Sequence, residues 1–113
     1  MSTHHAASGE IVDLATWADD LPFEKSKVIF KTEGLELARL VIKSGVTMQS
    51  GGYCSVDGPI VVHCIEGEVK VKVKTPEREI SLKPGQLGYL EGGTEHALTG
   101  ELDSLVLLTI TLV

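Results

Sequence analysis

The chain has 113 residues, 42% hydrophobic and 23% charged, with sixteen Asp and Glu against ten Lys and Arg for a net charge of −6. That length suits one domain and is too short for two independent cores, and the composition is that of an ordinary globular protein. The acidic balance argues against nucleic acid and anionic membrane surfaces as partners, because both reward a basic patch.

The first ten residues, MSTHHAASGE, are small and polar, and are expected to form a flexible tail ahead of a single domain over 11–113. They hold neither a basic-then-apolar leader nor a membrane-spanning run, so the expected location is the cytoplasm, with Cys54 and Cys64 reduced. Residues 12–23, VDLATWADDLPF, are the one helical candidate, a turn or two stopped by Pro22. From there the chain breaks into short strand-like runs separated by glycine. Residues 26–45 read as two strands joined at Thr32-Glu33-Gly34, and 48–59, MQSGGYCSVDGP, as a long loop. PIVVHCI, EVKVKVK and REISL follow as three more runs, divided by turns at Gly67 and at Thr75-Pro76-Glu77.

In VKVKVK, residues 69–74, lysines alternate with valines. That period gives a solvated outer face and sends Val71 inward, rather than building a phosphate-binding stripe. Residues 84–98 read as a turn, a strand, a Gly92-Gly93 turn and the start of another strand. The closing run, SLVLLTITLV, is too apolar for an edge strand facing water. It belongs either at the centre of a covered sheet or in a subunit interface, and a symmetric homodimer is the default for such a surface. Eight or so short strands without crossover helices make an all-β antiparallel barrel or sandwich.

The stretch LKPGQLGYLEGGTEHAL, residues 82–98, resembles the second motif of the cupin superfamily. Gly85 opens it, Glu91 stands where proline is usual, Gly93 is the motif glycine, and His96 falls on the metal-ligand histidine. IEGEVKV, residues 65–71, looks like the turn that closes the first cupin motif. The resemblance spans about residues 37–112 and implies an antiparallel jelly roll. It also implies a four-ligand metal centre, and here the sequence departs. Counted from Gly45, the two histidine positions of the first motif fall on Gly51 and Tyr53; counted back from Gly67, the acidic position falls on Ile60. Only His96 survives, and positions near Tyr53 are free to slip along the long loop.

If Ile60 keeps the inward face of the lost ligand, strand alternation sends Val62 and Cys64 inward and His63 outward. The candidate pocket is then His96, Tyr53, Cys64, Met48 and Gln49, with Cys54 nearby. A metal, if held, would use His96 with His63, Cys54 or Gln49. Zinc, copper, nickel and iron are the divalent candidates, and sulfur donors bias the set toward zinc or copper. Two functions follow from the resemblance. The first is a barrel that binds a small organic ligand and has largely lost its metal site; the second is a metal-dependent enzyme of dioxygenase or isomerase type with an unusual ligand set.

Overall fold

Runs such as VKVKV and IVVHC combine β-branched side chains with a period of two, which fits a pleated strand buried on one face. The computed structural model describes residues 5–17, 27–48, 52–74 and 77–113. Among them are eight strands: β1 Lys27–Lys31, β2 Leu35–Ile42, β3 Ile60–Glu66, β4 Val69–Val73, β5 Arg78–Leu82, β6 Leu87–Leu90, β7 His96–Gly100 and β8 Ser104–Thr111. They form a five-stranded sheet in the order β1-β2-β8-β3-β6 and a three-stranded sheet in the order β5-β4-β7, with every pairing of these strands antiparallel. This is the expected jelly roll, with the two sheets packed face to face rather than closed edge to edge.

The apolar closing strand β8 lies at the centre of the larger sheet. It pairs with β2 along its whole length, from Leu35↔Thr111 to Ile42↔Ser104, and with β3 on its other side. A central position accounts for its apolar character without an interface. β3 keeps strict alternation over Ile60–Cys64, with Ile60, Val62 and Cys64 buried. A bulge then follows between Cys64 and Glu66, where Ile65 is the extra residue. The core joins Leu40, Ile42, Ile60, Val62 and Val106 of the larger sheet to Val69, Val71, Val73, Leu82 and Leu98 of the smaller. Each such side chain, fully buried, is worth about 1.5–3 kcal/mol.

Gly67 turns the chain from β3 into β4 at φ +84°. Beneath it the Glu68 amide donates to Ser104 Oγ (3.1 Å), which also lies 2.7 Å from the Leu102 carbonyl and 3.0 Å from that of Glu68.

The helical expectation is corrected to a single turn over 14–17. The Thr16 and Trp17 amides donate to the Asp13 carbonyl, and the Ala15 amide to Asp13 Oδ1. Arg39, buried on β2, donates to the carbonyls of Leu14 (2.6 Å) and Ala15 (3.0 Å), which a continuing helix would turn toward residues 18 and 19. Positions 18–23 of the helical candidate lie outside the described residues. Nearer the N-terminus, the Ala6 amide donates to the Ile29 carbonyl of β1 at 2.7 Å. Among the described residues no helix is long and apolar enough to cross a membrane.

Candidate functional site

Between the two sheets, where β7 begins, lies a cavity of about 250 Å³. Leu40 of β2, Ile60 of β3, Leu98 of β7, and Leu108 and Ile110 of β8 make an aliphatic wall. The loop segment 52–56 closes one side, held down by the Gly93 amide donating to the Val56 carbonyl at 2.7 Å. Among the described residues, the polar ones lining the cavity are His96, Cys54 and Ser55.

His96 is the first residue of β7 and is 4% exposed. Its backbone pairs on one side with Val73 of β4 and on the other with Cys54, through two reciprocal amide–carbonyl bonds of 2.9 Å. Those two bonds set the two side chains directly opposite each other. The imidazole Nδ1 lies 2.9 Å from the Thr94 carbonyl. A carbonyl only accepts, so Nδ1 carries the proton and Nε2 keeps its lone pair. That lone pair faces Cys54 Sγ at 3.5 Å, and the thiol is the donor. Burial pushes the Cys54 thiol above its ordinary pKa of 9.0, so the thiol keeps its proton at neutral pH.

Other candidates fall elsewhere. Met48 lines the cavity. Tyr53 does not: it is 42% exposed and packs under Lys74, whose Nζ lies 5.7 Å from the ring centroid. Because neighbours along extended chain point to opposite sides, turning Tyr53 out is what brings Cys54 in. Cys64 faces inward but does not reach the cavity. It sits four residues beyond Ile60 along β3, roughly 13 Å further into the packed core, with Sγ against the Glu66 and Gly67 carbonyls. His63 lies opposite Leu87 of β6 and Leu107 of β8 and alternates with the buried, core-facing Val62 and Cys64. The larger sheet thus stands between His63 and His96, as strand alternation implies. Gln49 lies outside the described residues.

Among the described residues no group of three or more His, Cys, Asp or Glu side chains comes together. Around His96 the described donors are Nε2 and Cys54 Sγ, while the acidic position of the motif is Ile60, part of the aliphatic wall. A zinc site needs at least three protein ligands. Sequence reasoning grouped Cys54 with His96 only as one alternative metal ligand beside His63 and Gln49, and did not set the two side chains against each other. The available signal was the slack in the loop, since a slip of one residue exchanges Tyr53 for Cys54 at the motif position.

No protein-family model matches the sequence, and no curated protein matches it. Solved structures do match the fold. The chain is similar to a cupin superfamily protein from Desulfitobacterium hafniense DCB-2, at a TM-score of 0.78 and 12% identity over 100% of both chains. It is similar to an RmlC-like cupin from Shewanella frigidimarina NCIMB 400, at 0.67 and 15% identity over 78% of this chain and 75% of that one. A protein from Thermus thermophilus matches at 0.73 and 26% identity over 92% of this chain and 99% of that one.

Proposed function

Starting from a small cupin fold, we propose that this protein binds a small, mainly apolar organic molecule in the cavity at His96, without a resident metal. The observation that carries the reading is the pairing of His96 Nε2 with Cys54 Sγ at 3.5 Å inside an aliphatic wall. That arrangement offers a ligand one hydrogen-bonding pair in a mainly aliphatic surround. At about 250 Å³ the cavity is slightly below the size of drug-binding pockets, which suits a ligand smaller than those. An aliphatic wall rejects charged groups, because burying an unpaired charge is costly. The reading as a dioxygenase- or isomerase-type metalloenzyme needs a third donor that no described residue supplies.

Two free thiols, Cys54 and Cys64, suit a reducing compartment, and we place the protein in the cytoplasm. A homodimer is supported by the open edge strand β6, where Leu87 (58%) and Tyr89 (60%) are exposed. A monomer at micromolar concentration in sedimentation would remove that part.

The binding reading is tested by titrating untagged protein with small ketones, alcohols and carboxylates while following the methyl resonances of Met48, Ala97 and Leu108. Neutral ligands are expected to shift these methyls together and carboxylates to leave them unmoved. Absence of any clustered shift across the series would contradict the proposal.

A further inference from the structure

The geometry points to more than passive binding: we propose that Cys54 and His96 act as a nucleophile–base pair that adds the thiol to small, uncharged α,β-unsaturated carbonyl compounds. This rests on the reading of the cavity as a small-molecule site. Three observations carry it. Sγ and Nε2 are within proton-transfer reach at 3.5 Å, and the Thr94 carbonyl fixes the tautomer that leaves Nε2 free to accept. Both residues are held on facing backbone positions by two 2.9 Å bonds, so their alignment does not depend on a flexible loop side chain. Both also open onto the same cavity, whose wall admits an apolar electrophile and excludes a charged one.

The addition balances without an oxidant or reductant. As Sγ bonds to the β-carbon, the S–H bond breaks and its proton passes to Nε2. The π electrons of the carbon–carbon double bond move toward the carbonyl oxygen, giving an enolate. The imidazolium then returns the proton to the α-carbon, leaving a neutral thioether. The chain carries its own control. Cys64 is the same chemical group, fully buried, with its sulfur against the Glu66 and Gly67 carbonyls and the charge of Glu68 helping to hold it protonated. It is expected to stay inert.

The full chain is treated at pH 7 with cyclohexenone as the apolar electrophile and with iodoacetate as the charged one, and modification at each cysteine is followed by mass spectrometry. Cyclohexenone is expected to modify Cys54 more than about tenfold faster than Cys64 and faster than free glutathione, and iodoacetate to show no such advantage. General-base assistance contributes about 10²–10⁴-fold in catalytic sites, so His96→Gln should slow the Cys54 reaction by tenfold or more. Should that variant fail to fold, the contrast between the two electrophiles in the wild-type chain decides. Cys54 reacting no faster than glutathione, or equally well with iodoacetate, would overturn the proposal. Binding of the saturated cyclohexanone to Cys54→Ser keeps the two readings apart. Retained binding beside an unreactive wild-type Cys54 would sink the nucleophile alone, whereas loss of binding in the wild type as well would sink both.

Discussion

Gly67→Ala is a sharp test of the β3–β4 turn, with Gly85→Ala as its control. The two glycines have almost the same backbone conformation, φ +84° and +85°. An added methyl therefore meets the same left-handed penalty at both, about 1–2 kcal/mol. Their surroundings differ. At Gly85 a Cβ meets nothing within 4 Å. At Gly67 it would overlap the Asp103 carbonyl oxygen and lie 2.5 Å from Ser104 Oγ and 2.8 Å from Ser104 Cα. Ser104 is 4% exposed and its hydroxyl bridges Glu68 and Leu102. Displacing a buried group from its partners costs about a further 1–3 kcal/mol. Gly85→Ala should thus lose about 1–2 kcal/mol and Gly67→Ala about 2–5 kcal/mol. Urea unfolding followed by the fluorescence of Trp17, the sole tryptophan, reads the difference directly. With a slope of about 1–3 kcal/mol/M, the Gly67 variant should unfold at about 1 M less urea than the Gly85 variant. Equal midpoints would refute the packing of Ser104 against this turn.

Val71→Asp should abolish the cooperative melt, since Val71 is 1% exposed in the core and a carboxylate there has no partner; near wild-type melting would show the faces of β4 to be inverted. His96→Ala should leave the fold intact at a cost of about 1–3 kcal/mol, the Thr94 carbonyl losing its donor at the edge of an existing cavity, and should abolish the ligand-induced methyl shifts. Collapse of the fold would make His96 a structural residue. Stability should also fall in alkali. Burial raises the pKa values of both Cys54 and Cys64 above 9.0, and the charge of Glu68 adds to the rise at Cys64. Their contribution is whole below pH 9 and is lost as pH climbs through the raised folded-state values. Urea midpoints from about pH 7 to 10.5 should therefore drop more steeply for the wild type than for a Cys54→Ala, Cys64→Ala variant, and parallel curves would contradict the burial of the thiols.

Strands were legible because their signal is local. Alternating VKVKV announces its own inner face, and the apolar SLVLL declares a covered position before its neighbours are known. His96 was legible for a different reason, its fixed spacing from Gly85 and Gly93. Cys54 was legible only as one of several loop candidates because the loop 48–59 has no periodicity, and its direct contact with His96 joins positions 42 residues apart. Cys64 shows the limit of parity: alternation tells which face a side chain takes, but not how far along the strand the cavity ends. The turn at 14–17 depends on Arg39, 24 and 25 residues away, whose reach to two carbonyls no local pattern encodes.

Nitrogen-detected NMR of the His96 ring, recorded with and without cyclohexanone, tests the site most directly. A proton on Nδ1, a bare Nε2, and an Nε2 resonance that moves when the ketone is added are the predicted results. A proton on Nε2, or a metal-bound Nε2 indifferent to the ketone, would contradict a ligand-accessible Cys54–His96 pair with the thiol as donor.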